Sequence, residues 1–402
     1  MRLGKKGWIA TLSGVGILVS SLLLGPAYAV PDYPTAAEVA AAKRDVQEKQ
    51  KMIERIEGIL DELEAEAEAL EKIALQKNEE YNQAVDATNE MRAKVASLEE
   101  KVAQSEADAE TAKSQLGGIV AQMFRDRAAG DTTLELIFNP ENSENLLFQM
   151  SMQEIIAQRT DAIYQAALDK QAQAEALAAE LDQSREALED IEAEAERLYQ
   201  EAQDAADAVI EKVKQSERER ATAMSQLAEL KDTADDLERQ RREGLEAERR
   251  QNAIKTAPTA PELYSVGEPD WAKVETAIAF ASEQLGERYV LGGAGPNVWD
   301  CSGITMKSYA AAGVYIGWHS ATAQYNVLAS QKKLVPFQQV QRGDLIWWSQ
   351  ESAFSGDKYH VAIYLGDGMM LEAPNPARTV RIVPVRYGEL WPYAGRPTAT
   401  SN

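Results

Sequence analysis

Trp299-Asp300-Cys301-Ser302-Gly303 runs into a helical-looking stretch, Ile304 to Ala312, and its reading decides the last third of the chain. Cys301 is the only cysteine among 402 residues. A lone thiol cannot close an internal disulfide, so its presence invites a chemical explanation. Helix N-termini offer unpaired backbone N–H groups and the positive end of the helix dipole, and both favour thiolate. The bland alternative is a small buried apolar residue. The neighbourhood tips the reading toward a nucleophile.

Downstream, Trp271 to Leu285 has helical spacing, and Asp344 to Trp348 follows a Gly343 turn and reads as a strand. Tyr359 to Leu365 alternates apolar with mixed residues. The turn Gly366-Asp367-Gly368 then leads into Met369 to Ala373, a hairpin signal, and Val380 to Val383 reads as a further strand. Helices first and antiparallel strands afterwards make a small α+β domain. The chain has two histidines. His360 precedes the hairpin turn and Glu372 follows it. A three-residue turn pairs Leu365 with Met369 and puts both side chains on one face; a two-residue turn separates them. The first option assembles nucleophile, base and orienting acceptor as Cys301, His360 and Glu372. The imidazole takes the thiol proton, and the carboxylate fixes its tautomer. His319, in Trp318-His319-Ser320, is a rival base. Its loop-like setting puts it at the rim of a substrate groove. Trp347 and Trp348 read as one core and one surface aromatic.

Upstream the composition changes. From Ala36 to Arg250 the chain is rich in Ala, Glu, Gln, Leu, Lys and Arg, with Pro140 its only proline. Apolar residues recur in steps of three and four from Ile53 through Ile56, Leu60, Leu63, Leu70, Val95, Leu98 and Val102 to Met123. This is a heptad seam. A second runs from Leu177 through Leu181, Leu188 and Ala202 to Val209, and slips near Val213 as a stutter does. Between them, Ala128 to Asn145 holds Gly130, Asp131, Pro140 and Asn142, which break helices. The pattern predicts an antiparallel coiled-coil hairpin over 30–250 with its tip near 128–150. The tip carries Leu134, Leu136, Ile137, Phe138, Leu146, Leu147 and Phe148, which either cap the hairpin or dock a partner. The arms hold no histidine or cysteine, so no zinc site is expected there. Pro258, Pro261 and Pro269 make 251–270 a short semi-stiff linker to a catalytic domain over 271–402.

The N-terminus has the pattern of an export signal: Arg2, Lys5 and Lys6, then an apolar run to Leu24, then Ala27-Tyr28-Ala29 as a cleavage site. Residues 1–29 are therefore expected to be removed and the mature chain to act outside the cytoplasmic membrane, associated with the cell wall. Net charge is −23, and the excess acid lies in the helical middle. No clustered basic face is present, which argues against nucleic acid. Six of the seven tryptophans fall in the last third.

Arg288 to Gly293, Trp299 to Gly303, Gly343 to Ile346, His360 to Gly366 and Met370 to Pro374, in that order, resemble the NlpC family of papain-like cell-wall endopeptidases. The layout of signal, long coil and C-terminal domain resembles RipC-type peptidoglycan hydrolases of Gram-positive bacteria, especially actinobacteria. The resemblance implies cleavage between D-isoglutamate and the diamino acid of wall stem peptides, during remodelling or daughter-cell separation, without metal or cofactor. It implies Cys301 as nucleophile, His360 as base and Glu372 as third residue, where family members often have histidine. Tyr289 matches a tyrosine near the nucleophile that helps hold substrate or oxyanion, with backbone N–H groups at the start of the Cys301 helix. Asp300 and Ser302 flank the nucleophile and are candidates for contacting the free amine of a stem peptide. The resemblance also implies an FtsX-type transmembrane partner, and the expectation is that the hairpin docks it and screens Cys301. Two alternatives stand: an amidase cutting between muramic acid and L-alanine on a similar fold, and a non-catalytic coiled-coil scaffold or activator.

Overall fold

In the computed structural model the described residues are 36–42, 46–128, 143–231, 239–245, 257–351, 354 and 356–400. Neither the expected export signal nor the turn of the hairpin is among them, and the side chains of Leu146, Leu147 and Phe148 also lie outside the description. No described helix is long and apolar enough to cross a membrane.

Two long helices are followed by a small α+β domain. Helix α1 is Ala36–Ala42, α2 is Val46–Ala128 and α3 is Ser143–Lys231. The chain divides into two compact units, Met1–Glu62 with Arg220–Glu238 and Leu63–Glu219 with Arg239–Asn402. In the first, Val39 and Ala42 of α1 and Ile56 and Leu60 of α2 pack with Ala223, Met224, Leu227 and Leu230 of α3. Those α3 residues belong to the shifted frame beyond Val213, so the stutter is where the seam changes register.

In the second unit α2 and α3 run antiparallel. Lys77 pairs with Glu201, Arg92 with Glu192, Glu99 with Arg185 and Asp108 with Lys170, one number rising as the other falls. Val95, Leu98 and Val102 close on Leu177, Leu181 and Leu188, as the heptad count requires. A second buried stripe of α2 was not legible as apolar: Leu75, Asn78, Glu79 and Asn82, spaced to share one face. It abuts the α+β domain.

That domain begins with α4 (Trp271–Glu283), capped by Asp270, whose carboxylate accepts from the N–H groups of Ala272 and Lys273. The two-residue strands β1 (Arg288–Tyr289) and β2 (Val298–Trp299) pair in parallel and lead into α5 (Cys301–Ala311), and α6 is Ala321–Ser330. The sheet comprises β3 (Leu334–Pro336), β4 (Leu345–Trp348), β5 (His360–Gly366), β6 (Met369–Glu372), β7 (Arg381–Pro384) and β8 (Tyr393–Gly395). Its order is β3-β8-β4-β5-β6-β7, with antiparallel neighbours throughout. On one face Leu345, Trp347, Val361, Ile363 and Leu371 meet α4, α5 and α6 in a core that Leu75 of α2 also enters. On the other, Ile346, Trp348, Ala362 and Met370 pack with Val335, Phe337 and Leu390.

Three sequence expectations change. Trp347 and Trp348 are both buried, because both faces of β4 are covered. The stretch read as a linker is, from 257 on, packed against the domain. Ala260 and Tyr264 join one core and Ala257 and Val266 the other, while Pro261 accepts a hydrogen bond from the Tyr393 hydroxyl. The hairpin has a two-residue turn, Asp367-Gly368, both at positive φ and closed by Gly366 opposite Met369. It nevertheless keeps His360 and Glu372 on one face, because Leu365 is an extra residue on β5 and the bulge restores the register of Ile363 opposite Leu371.

Gly343 opens β4 at φ +89, and a Cβ there would lie 2.5 Å from Cγ1 of Val274. Gly343→Ala combines left-handed strain with overpacking and should destabilise the domain by about 3 kcal/mol. A lowered urea midpoint, read by the tryptophan fluorescence that this domain dominates, checks it.

Candidate active site

Asp300 builds the site's first element. It is the N-cap of α5 and its carboxylate accepts from the Gly303 N–H at 2.7 Å, which starts the helix at Cys301 rather than at Ile304. Gly303 is required here: a Cβ would stand 2.0 Å from the Gly293 carbonyl and 2.8 Å from Nε2 of His319. Cys301 lies in the first turn, 1% exposed, with its sulfur against the backbone N–H groups of Ser302 and of Val361, the residue after His360.

His360 and Glu372 are both fully buried, and Nε2 of His360 lies 2.7 Å from Oε2 of Glu372. Nδ1 of the same ring is buried without a hydrogen-bond partner. The carboxylate thus holds the proton on Nε2 and leaves Nδ1 as a free acceptor. Burial pulls the Glu372 pKa upward, but the charge of Arg386 and the His360 hydrogen bond outweigh it and hold the carboxyl well below its usual range. Burial lowers the pKa of His360, and Arg386 and Arg381 add to this against Glu372. At rest the ring is neutral.

The expected thiolate is not what the resting geometry favours. Burial pushes the Cys301 thiol well above its ordinary value, and the carboxylates of Asp300 and Glu79 push the same way. Together they outweigh the two N–H groups that favour the anion. Tyr289 on β1 is 5% exposed, and its hydroxyl has no partner. His319 sits in the loop before α6 with Nε2 2.8 Å from Asp300, so it is committed to that carboxylate. Ser302 is buried, its hydroxyl 3.2 Å from Asp300 and 3.3 Å from the His319 carbonyl.

The sequence reading missed what covers these groups. Asn82 of α2 donates to Asp300 at 2.9 Å and to Ser302 at 3.3 Å, and Asn78 donates to Asp300 at 3.3 Å. Glu79 accepts from the backbone N–H groups of Ala321 (2.8 Å) and Thr322 (2.9 Å) at the N-terminus of α6. Asp86 accepts from the His319 N–H at 3.2 Å. The ring of Tyr81 lies over Gly292, where a Cβ would be 3.1 Å from it. Burial raises Glu79 to about 7 and Asp86 to about 6. The four polar side chains, Asn78, Glu79, Asn82 and Asp86, are of types that ordinarily sit on a solvated helix face, so the sequence carried no signal for them, and Tyr81 reads in the sequence as a seam residue. Arg381 and Arg386, which brace Glu372, were also missed; only the β6–β7 register, Glu372 opposite Arg381, would have revealed one of them.

A cysteine on the first turn of a helix, beside a strand carrying a carboxylate-braced histidine, defines a small α+β domain of the thiol-hydrolase kind. Residues 286–393 match the NlpC/P60 family, so the C-terminal region is an NlpC/P60 domain. It is 38% identical over 104 residues to the peptidoglycan endopeptidase RipA of Mycobacterium tuberculosis, a match covering 26% of this chain and 20% of that one. It is 35% identical over 112 residues to a gamma-D-glutamyl-L-lysine dipeptidyl-peptidase of Bacillus cereus, covering 28% and 32%. Among solved structures it is similar to the peptidoglycan hydrolase RipB of Mycobacterium tuberculosis at 32% identity, covering 32% of this chain and 66% of that one, with a TM-score of 0.28. A P60 domain from a Mycobacterium avium subspecies paratuberculosis antigen matches at 32% identity, covering 32% and 96%, with a TM-score of 0.28. The chain spans between a fifth and a third of the length of the first curated relatives it matches.

Proposed function

We propose that this protein is an exported, wall-associated cysteine endopeptidase that hydrolyses the D-isoglutamyl–diamino acid bond of peptidoglycan stem peptides. The observation that carries the reading is the braced ring: Nε2 of His360 on Glu372 at 2.7 Å, Nδ1 buried and free, and the Cys301 sulfur one residue along the strand. In this reading Nδ1 takes the thiol proton as sulfur attacks the amide carbon, and imidazolium returns it to the leaving amine. Water then attacks the thioester with the same ring as base. Backbone N–H groups at the start of α5, with the unpartnered Tyr289 hydroxyl, are placed to receive the developing oxyanion. Asp300, with Ser302 beside it, offers an acceptor for the free amine of the stem peptide. The names of the matched relatives support this substrate class.

Regulation follows from what covers the site. The α2 face of Asn78, Glu79, Asn82 and Asp86 occupies the polar positions that a substrate would need, and burial, with Asp300 and Glu79, holds the proton on Cys301. The resting chain is in this reading closed, and a membrane partner of the FtsX type that engages the coil opens it.

Mass analysis of digested wall fragments tests the bond. The endopeptidase exposes a new amino terminus on the diamino acid, whereas an amidase on a similar fold would expose one on L-alanine. An L-alanine terminus, or no Cys301-dependent product from chains whose α2 face has been released, would overturn the reading.

A further inference from the structure

Glu372 is held by more than its histidine. Oε2, which faces His360, also accepts from one nitrogen of Arg386 at 2.8 Å, and Oε1 accepts from the other at 2.7 Å. Oε1 takes two further bonds from Arg381, at 3.1 and 2.9 Å. The Arg386 contact is thus bidentate, and its planar fork fixes the plane of the carboxylate as a point charge could not. Arg386 is itself tied back to the ring it serves. Its carbonyl accepts from the indole N–H of Trp348 at 2.9 Å, and its guanidinium stands over that indole, 5.1 Å from the ring centre. The Trp348 ring in turn lies 5.1 Å from that of His360. A closed circuit results, His360 to Glu372 to Arg386 to Trp348 and back to His360. Register explains half of it, since Trp348 is opposite His360 across β4 and β5, and Arg381 is opposite Glu372 across β6 and β7. Arg386 lies two residues past the end of β7.

We propose that Arg386 is a positioning residue: its fork holds Glu372 so that Oε2 faces the His360 N–H, locking the ring in the Nε2–H tautomer with Nδ1 left free for the thiol. This deepens the cysteine-peptidase reading and rests on it for its functional meaning. Two consequences have opposite causes. Geometrically, the fork prevents the carboxylate from rotating toward Arg381 alone and releasing the imidazole. Electrostatically, the two arginines offset the carboxylate, so the ring stays neutral and able to accept a proton. The charged and titratable groups around His360 are Glu372 and Arg381 from the strands, Arg386 from just past β7, and Cys301 from α5. Glu71 of α2 lies near the arginines.

The test needs no substrate. With only two histidines in the chain, nitrogen-15 labelling of histidine gives two ring systems, and a His319→Gln variant assigns them. In the full wild-type chain the His360 ring should be a single Nε2–H tautomer. In Arg386→Gln the unneutralised carboxylate should favour imidazolium and move the titration midpoint of His360 up by about one pH unit. In Arg386→Lys, which keeps the charge without the fork, the midpoint should stay near the wild-type value while the other tautomer becomes populated. If Arg386→Gln does not fold, the tautomer mixture in Arg386→Lys decides. An unchanged midpoint in folded Arg386→Gln, or one unaltered tautomer in Arg386→Lys, overturns the proposal. Absence of Cys301-dependent peptidase activity from chains whose α2 face has been released, with this ring behaviour intact, would instead overturn the enzymatic reading alone.

Discussion

Replacing Glu79 by lysine in the full-length chain should raise hydrolysis of wall fragments and the alkylation rate of Cys301 together, by about a hundredfold. Glu79 accepts two hydrogen bonds from the first turn of α6. Lysine removes both and sets an ammonium against the positive end of that helix, a change of about 3 kcal/mol. At about 1.4 kcal/mol per factor of ten, that is the stated shift in the open population. The rest of the clasp does not resist strongly. Asn78, Asn82 and Asp86 make hydrogen bonds that water can replace, each contributing about 1 kcal/mol net. Leu75 is an apolar anchor on this α2 stripe, contributing roughly 2 kcal/mol by burial, and the Tyr81 ring over Gly292 adds a second apolar contact. A mostly polar clasp is suited to being opened; a leucine-rich one would be a permanent interface. Unchanged rates in a folded Glu79→Lys chain would remove the case for self-inhibition.

The same carboxylates give the clasp a pH dependence of definite sign. Glu79 is raised to about 7 and Asp86 to about 6 when docked, in both cases chiefly by burial. A group whose pKa is raised on docking favours the docked state fully below its free value and loses that contribution as pH rises through the docked one. Docking should therefore be tightest near pH 4 and weaken up to about pH 7. Alkylation of Cys301 also rises with pH through its own ionisation, so the discriminating quantity is the ratio between wild type and Glu79→Gln. That ratio should change between pH 5 and 7 and be flat above.

How much of this the sequence disclosed depended on whether a residue's role followed from its neighbours in the chain. The heptad seams followed, because a period of seven in apolar residues has one physical meaning, and the predicted seam residues Ile56, Leu60, Val95 and Leu98 are buried. That His360 and Glu372 share a face was legible as one of two options, because the turn length left the parity of the hairpin open, and their 2.7 Å contact agrees with the first. The turn was misread in detail and correct in consequence, since a bulge at Leu365 and a longer turn shift the register equally. The clasp was hidden for a general reason: Asn78, Glu79, Asn82 and Asp86 find their partners more than two hundred residues away, and nothing local marks a polar residue as buried. The ionisation state of Cys301 was hidden with it. The helix N-terminus gives the thiol the Ser302 N–H and β5 adds that of Val361, whereas the burial that opposes them, with Asp300 and Glu79 behind it, comes from the assembled fold.

Cys301→Ala, placed in the Glu79→Lys chain so that the site is open, should reduce hydrolysis by at least about a thousandfold. Its effect on stability should be small, because a methyl group replaces a thiol in a core of Tyr289, Trp299 and Ile304. His360→Ala should cost a similar factor for a different reason. The sulfur would remain, but with burial and Asp300 holding its proton, it would lack the one unpartnered nitrogen able to remove it. Groups that act in one step are not additive, so the double variant should be scarcely slower than either single one. A small nucleophilic thiol such as cysteamine cannot replace a tethered sulfur, but imidazole added to His360→Ala has a buried cavity to enter beside Glu372 and should restore part of the rate, with a dependence on its own neutral fraction. Wild-type rates in Cys301→Ala would end the covalent mechanism. A double variant a thousandfold slower than either single one would mean that sulfur and ring act in separate steps, and that the circuit around Glu372 serves the fold rather than the thiol.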